Sequence, residues 1–492
     1  MKSSTSFAFD NTYAAQLVDF YLPAKPAVFP SPSLMAFNDG LAVELGLDST
    51  QLRQEAHLVF SGQLLPEGAT PIAQAYAGHQ FGGFSHQLGD GRAMMLGEVV
   101  DKAGVRRDIQ LKGSGPTPFS RGGDGKASVG PVLREYLVSA SLHALGVSTT
   151  RMLAAVSTGE QVYRERPFPG AVVTRVAASH LRVGTFQFFA ARDDRVRTKQ
   201  LADYAIKRHY PQLLGSTDPY LGLLAAVSQA QADLIAGWMC IGFIHGVMNT
   251  DNFTIAGETI DFGPCAFMDA FDRSAVFSSI DYQGRYAYGN QPQIAQWNLA
   301  RFAEVLLPLI DDDMDAAVAR VQEVLTDFAT HYRDRWVAGM RSKLGLMEAD
   351  TSDHELTSGL TELLEEHQLD YTSTLRCLSS VARAADSVSH PLLNTSKDFN
   401  AWGQRWLHRL AQQPGGQAAA ADRMDTVNPV YIPRNHKVEE ALTSAVDDQN
   451  LEPFERLLGL IMDPFEVRGG CDSYAEAAPP TFTKCYQTFC GT

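Results

Sequence analysis

The chain has 492 residues, 45% of them apolar, and a formal net charge of −15. That length exceeds one ordinary hydrophobic core, and the acidic balance excludes a general nucleic-acid binder, which needs clustered Lys and Arg against phosphate. No stretch approaches the ~20 uninterrupted apolar residues of a membrane span, and M-K-S-S-T-S-F-A-F-D lacks an apolar signal core, so we expect a cytosolic protein that engages neither membrane nor nucleic acid. Six scattered cysteines are too few for a disulfide scaffold. Two of them, Cys485 and Cys490, stand in the terminal K-C-Y-Q-T-F-C-G-T, where a thiol is either inert or accessible to oxidants. Zinc is not expected, because no second Cys or His pair stands at ligand spacing.

In chain order, residues 11–50 carry Pro23, Pro26, Pro30 and Pro32 around short apolar runs, which predicts an irregular lead-in lying across the main body. From Tyr76 six glycines punctuate Y-A-G-H-Q-F-G-G-F-S-H-Q-L-G-D-G-R-A-M-M-L-G-E-V-V, and the alternating D-I-Q-L-K follows at 108–112; the pattern predicts strands separated by turns. A helix is expected over 129–146 with Gly146 as its stop, then strands near 150–157 and 170–176, then helices from about Asp203. Val318, Val321, Leu325, Phe328, Tyr332 and Trp336 recur at helical spacing, the core-facing stripe of a helix. Residues 412–427, Q-Q-P-G-G-Q-A-A-A-A-D-R-M-D-T-V, are expected to form a low-complexity break.

Between the two halves runs H-G-V-M-N-T-D-N-F-T-I-A-G-E-T-I-D-F-G, residues 245–263. Protein-kinase catalytic loops read H-R-D-x-x-x-x-N and are followed by D-F-G; His245 then places Asn252 and Asp261 in the two metal-ligand slots and Val247 where the base should be. Two oxygen ligands suit Mg²⁺ when nucleotide phosphates complete its shell. The alternation in N-F-T-I-A-G-E-T-I-D predicts a hairpin that holds Asn252 and Asp261 in fixed relation. His245 reads as a structural residue, and Asp251 is either a turn residue or the proton acceptor that Val247 cannot be. The expected fold class is α+β, a two-lobed protein-kinase-like fold: residues 1–70 as an N-terminal extension packing on the core, 71–185 as the β-rich lobe, 186–410 as the helical lobe and 411–492 as a C-terminal extension with the cysteine tail.

Lys112 at a strand end and Glu135 within the next helix stand in the relation of the kinase lysine and its glutamate partner. L-G-D-G-R, residues 88–92, is either a hairpin turn or a phosphate cradle of free amides beside Arg92. Residues 112–126 pack five glycines and three cations into fifteen positions, a composition suited to a mobile anion-binding flap or to the protein-substrate side of a site. Arg175 and Arg182 are lone cations in apolar context, which implies either carboxylate partners or phosphate ligands.

With G-H-Q-F-G-G-F-S-H-Q-L-G-D-G-R, Q-L-K-G-S-G-P-T-P-F-S-R-G-G-D-G, H-G-V-M-N-T-D-N, I-D-F-G-P, I-P-R-N-H-K-V-E-E-A-L and the terminal T-F-C-G-T in place, the sequence resembles the selenoprotein O (SelO, YdiU) family of kinase-like pseudokinases. The resemblance implies AMP transfer from ATP to Ser, Thr or Tyr hydroxyls of protein substrates, with the nucleotide inverted relative to a kinase, and in some members UMP transfer from UTP with Mn²⁺. It implies nucleotide contacts from Gly89, Gly91, Arg92, Lys112, Asp124, Gly125, Arg175, Arg182 and Asp261, proton acceptance by Asp251, and Mg²⁺ or Mn²⁺ on Asn252 and Asp261. It also implies a redox role for Cys490, paired in some members with a cysteine after D-F-G. Here A-F-D-R-S-A-V-F-S-S-I-D contains none, and Cys265 is the one candidate nearby. The four cations Arg92, Lys112, Arg175 and Arg182 suit a triphosphate buried where a kinase takes uncharged adenine. A monomer is expected. A phosphotransferase whose loop reads H-G-D and an inactive nucleotide-binding redox scaffold are the alternatives.

Overall fold

The computed structural model describes residues 5–384 and 390–489. The strands of its first half are β1 (Tyr21–Pro23), β2 (Ser33–Phe37), β3 (Ile72–Gln74), the paired β4 (Gly78–Gln80) and β5 (Gly83–Ser85), β6 (Ala93–Val100), β7 (Arg106–Lys112), β8 (Ala127–Ser128), β9 (Arg151–Tyr163) and β10 (Pro167–Ala177). Apart from the β4–β5 hairpin these form one antiparallel sheet, ordered β1-β3-β6-β7-β10-β9-β2 with β8 beside β10. The expected irregular lead-in is therefore ordered, because it supplies both edge strands together with α1 (Thr12–Gln16), α2 (Asp39–Glu44) and α3 (Ser49–Val59). Prolines are compatible with that position, since an edge strand need not donate every N–H.

Successive residues of a strand point to opposite faces, and here both faces are covered. Leu96, Ile109, Leu111, Val172 and Val176 pack with Leu41, Leu52, Ala56 and Phe60 of the N-terminal helices and the turn that follows them. Met95, Val173 and Ala155 on the other face join the larger core beneath α4 (Val129–Ala144). Helix α4 ends as its sequence requires. Gly146 has φ +77, its N–H reaches His143 O at 3.0 Å and Val147 N–H reaches Leu142 O at 2.9 Å, the paired bonds of a Schellman stop.

The remainder is mainly helical: α5 (Val183–Ala190), α6 (Arg195–His209), α7 (Pro219–Cys240), α8 (Gln291–Ile310), α9 (Met314–Lys343), α10 (Asp353–Glu366), α11 (Tyr371–Arg383), α12 (Lys397–Ala411), α13 (Gly416–Asp425), α14 (Asn435–Asp447) and α15 (Glu452–Ile461), with one-turn helices at Asp472–Ala475 and Pro480–Thr483 and a short antiparallel pair, Phe243–Ile244 with Ala266–Phe267, on either side of the 245–263 loop. The stripe on α9 faces the core, with Val321 and Phe328 buried and Leu325, Tyr332 and Trp336 packed at its margin. The expected break at 412–427 is not a break. Gly415 and Gly416 turn the chain at positive φ, after which the alanine run forms α13 and buries Ala420, Ala421 and Met424. Alanine is the best helix former, so low complexity here coincides with helix propensity. The architecture is thus mixed α and β with an antiparallel sheet. Among the described residues no helix is long and apolar enough to cross a membrane.

Candidate nucleotide and metal site

Lys112 and Gln110 alternate on β7, so both project toward α4, and Arg175 of β10 lies directly opposite Gln110 in the sheet register. Gln110 Oε1 accepts from Arg175 Nε at 3.2 Å and Nη2 at 2.6 Å. Lys112 Nζ forms an ion pair with Glu135 of α4 and donates to Asp261 Oδ1 at 2.5 Å. Arg175 Nη1 reaches the same oxygen at 2.8 Å, and Arg182, the residue that precedes α5, reaches Asp261 Oδ2 at 3.3 Å. Three cations thus converge on one carboxylate. Burial works to raise its pKa, but Lys112, Arg175 and Arg182 outweigh that and hold Asp261 well below the usual carboxylate range. Asp261 also has φ +64, a left-handed conformation that costs a non-glycine residue roughly 1–2 kcal/mol.

The glycine segments close over this cluster. Gly89 has φ +77 and abuts Phe119 so closely that a Cβ would collide with its ring. The amides expected to be free are partly spoken for: Asp90 N–H bonds Gln74 O at 3.0 Å and Gly91 N–H bonds Gly89 O at 2.8 Å. Residues 112–126 are likewise tied down rather than a free flap. Thr117 Oγ1 donates to Asp90 O at 2.6 Å, Ser120 Oγ donates to Gly91 O, Gly115 N–H bonds Gly125 O at 3.0 Å, and Asp124 pairs with Arg164 at 2.8 Å. Short polar side chains and glycine together let two loops stack backbone on backbone, which composition alone does not distinguish from mobility.

Buried His245 is structural: its Nε2 meets Ile260 O at 2.8 Å, its N–H bonds Gln291 Oε1 at 2.9 Å, and its ring lies against Trp238. Burial lowers its pKa. Beyond Val247, Thr250–Asn252 form a 3₁₀ turn. The expected hairpin between Asn252 and Asp261 does not form. Instead Thr254 pairs with Arg182 and Thr259 with Thr149, while Gly257 at φ +70 and Thr254 Oγ1, which donates to Glu258 O at 2.8 Å, close the turn between them. Each arm has a better partner elsewhere than in the other arm.

Asp251 is buried and held from several sides. Arg182 Nη1 donates to its backbone oxygen at 2.8 Å, and Gln80 Nε2 approaches Oδ2 at 3.4 Å. Oδ1 has no hydrogen-bond partner, an orphaned buried acceptor of the kind that marks a missing ligand. Burial raises the Asp251 carboxyl to about 6 against the pull of Arg182. Asn252 donates Nδ2 to Val247 O at 3.0 Å, which points its amide nitrogen away and offers Oδ1 to the cleft.

One cavity of about 500 Å³ is lined by Gly89, Gly91, Arg92, Lys112, Asp124, Gly125, Glu135, Arg175, Arg182, Asp251, Asn252 and Asp261. The structure therefore brings together every nucleotide, metal and base residue anticipated from sequence. Cys490 lies outside the described residues. Cys265 is buried, its Sγ 3.0 Å from Phe262 O. Sequence reasoning missed Asp90, whose Oδ2 accepts from Gln74 N–H at 3.0 Å and Gln110 Nε2 at 3.2 Å while Oδ1 makes no hydrogen bond and lies 3.8 Å from Arg182 Nη2; burial raises it to about 6 against Arg182. It also missed Gln110 and Gln80. The signal for Gln110 was present in D-I-Q-L-K, where position 110 must share a face with 112.

The sequence matches the family described as "Protein adenylyltransferase SelO" over residues 4–462. The chain belongs to the SelO family. It is 56% identical over 488 residues to "Protein nucleotidyltransferase YdiU" of Cereibacter sphaeroides, covering 99% of this chain and 100% of the relative. The namesake of Rhizobium leguminosarum bv. trifolii is 53% identical over 493 residues, covering 100% of this chain and 98% of the relative. SelO membership makes the chain a nucleotidyltransferase that uses a nucleotide co-substrate.

Proposed function

We propose that this chain transfers AMP from ATP to Ser, Thr or Tyr hydroxyls of protein substrates, on a two-lobed kinase-like scaffold with residues 71–185 and 186–410 as the lobes. The single observation that carries the reading is the cluster of Lys112, Arg175 and Arg182 around Asp261 in a cavity also lined by Arg92. Such a density of cations suits a polyphosphate and is wasted on adenine, so the triphosphate enters deep and the α-phosphate faces Asp251. With no nucleotide bound, Asp261 serves these cations as the substitute anion, which spares them the several kcal/mol cost of unpaired burial.

The hydroxyl oxygen of the acceptor bonds to the α-phosphorus, the bond from α-phosphorus to the β-bridging oxygen breaks, and pyrophosphate leaves. Asp251 Oδ1 takes the hydroxyl proton, and Gln80 and Arg182 hold the residue in place. Lys112, Arg175 and Arg182 stabilise the negative charge of the leaving pyrophosphate, and Glu135 orients Lys112. Asn252 Oδ1 and Asp261 are the oxygen donors that fit Mg²⁺ or Mn²⁺, which when bound supplies Lewis-acid stabilisation of the charge on phosphate. UTP is a second donor in this reading. The test is incubation of the protein with cell extract and ATP labelled at the α- or the γ-phosphate. Label retained on protein from the α position supports AMP transfer, and label from the γ position alone overturns it in favour of a phosphotransferase.

A further inference from the structure

The mouth of the nucleotide cavity carries a charge that the transfer chemistry does not use. Gln80, Phe81 and Ile280 line its rim. Over Gly82, at the tip of the β4–β5 hairpin, sits the Arg285 guanidinium; a Cβ on Gly82 would lie 3.8 Å from its Cζ. Arg285 stacks on Trp297, 4.7 Å from the ring centroid, and Arg301 approaches the same ring at 5.2 Å. Arg301 has Glu304 as partner at 2.7 Å, whereas Arg285 forms no salt bridge among the described residues, and its Nε is buried without a hydrogen-bond partner. The neighbouring Asp281 carboxylate is occupied by the backbone N–H groups of Arg285 and Tyr286 at 2.9 and 2.7 Å. Two guanidinium groups thus share one aromatic ring at this rim, on a protein of net charge −15. Its chain neighbour Tyr286 and the hairpin residue Phe81 both reach the catalytic turn: Asn249 Oδ1, two residues before Asp251, accepts from Tyr286 OH at 2.6 Å and Phe81 N–H at 3.0 Å. Around it Phe81 is 36% and Tyr282 91% exposed, apolar surface that a bound segment would cover.

We propose that Arg285, stacked on Trp297 at the hairpin tip, docks an acidic side chain flanking the acceptor hydroxyl of the protein substrate, which makes acidic segments the favoured acceptors. A half-buried guanidinium fixed on an aromatic face and lacking an anion is arranged for bidentate carboxylate recognition, and charge complementarity at such a rim governs encounter and specificity. The inference rests on the adenylyl-transfer reading for its acceptor.

The experiment uses two matched peptide sets with central Ser, Thr or Tyr, flanked on both sides by Glu in one and by Lys in the other, with α- and γ-labelled ATP in parallel. The wild-type protein should label the Glu set from α-labelled ATP with at least tenfold higher kcat/KM, mostly through KM. R285E should reverse the order and R285K should keep it, and the melting shift produced by ATP should be the same in all three. Equal labelling of both sets, or an unchanged preference in R285E, overturns the docking role and leaves AMP transfer standing. Label from the γ position alone, with the Glu preference kept, overturns AMP transfer and leaves the docking role. No label from either position on any peptide overturns both.

Discussion

At the scale of single residues, Asp261 does two jobs that a substitution separates. It is a metal ligand in the proposed reaction and the counter-ion of three buried cations without nucleotide. Asp261→Ala should therefore cut transfer by roughly 10²–10³, lower the melting temperature of the free protein, and enlarge the stabilisation given by ATP in the presence of EDTA, because phosphate then meets cations with no competing carboxylate. Calorimetry or a thermal melt reads all but the first; a smaller ATP shift in the variant would refute the counter-ion argument. Glu258, in the turn between the two proposed metal ligands, offers a pH test. Burial lifts its carboxyl from 4.5 to about 7, against a hydrogen bond from Ala178 N–H and the field of Arg107. The folded protein then holds a proton that the unfolded chain releases near 4.5, so stability is full below that pH and is lost as pH rises toward 7, by about 3 kcal/mol. Glu258→Gln should abolish that part of the decline, so its melting temperature relative to wild type rises between pH 5 and pH 8.

At the scale of elements, the loop of residues 112–126 folds back on itself where Gly115 N–H bonds Gly125 O, and that closure is testable. Gly125 has φ +65 and faces Gly115 O at a distance that no Cβ tolerates, whereas Gly122, φ +85, has open space around it. Gly125→Ala should cost stability by about 1–3 kcal/mol and weaken ATP binding, and Gly122→Ala should show the smaller cost of backbone strain alone. Equal effects in a denaturant titration would mean that the contact between the two arms of this loop carries nothing. These elements also show what a sequence can disclose. The stop of helix α4 was legible because it is local, encoded by Gly146 and its neighbours, although the helix itself ends two residues earlier, at Ala144. The Lys112 to Glu135 relation and the loop order were legible because fixed spacing implies fixed geometry. The hairpin after Asn252 was not, since alternation identifies extended chain and is silent about partners; Thr254 and Thr259 found theirs at Arg182 and Thr149. Gln80 was hidden for the same reason, because its meeting with Asp251 spans 171 positions.

At the scale of the whole molecule, the first 70 residues are continuous with the sheet that carries the site. They supply both its edges and the helices covering one face. A chain begun at residue 71 would expose the long edge of β9, the short edge of β3 and the apolar side of β7 and β10, so it should be insoluble or bind a hydrophobic dye, and limited proteolysis of the full chain should release no stable 71–492 fragment. A soluble, cooperatively melting fragment would contradict this. The edge position of β2 also sets a schedule for the ribosome. Ser33 pairs with Ser157, 124 positions later, so at 5–20 residues per second β2 waits roughly 6–25 s for its partner strand to be synthesised. For that interval the nascent chain holds an apolar strand with nothing to pair with, which makes early synthesis the period of greatest need for a chaperone.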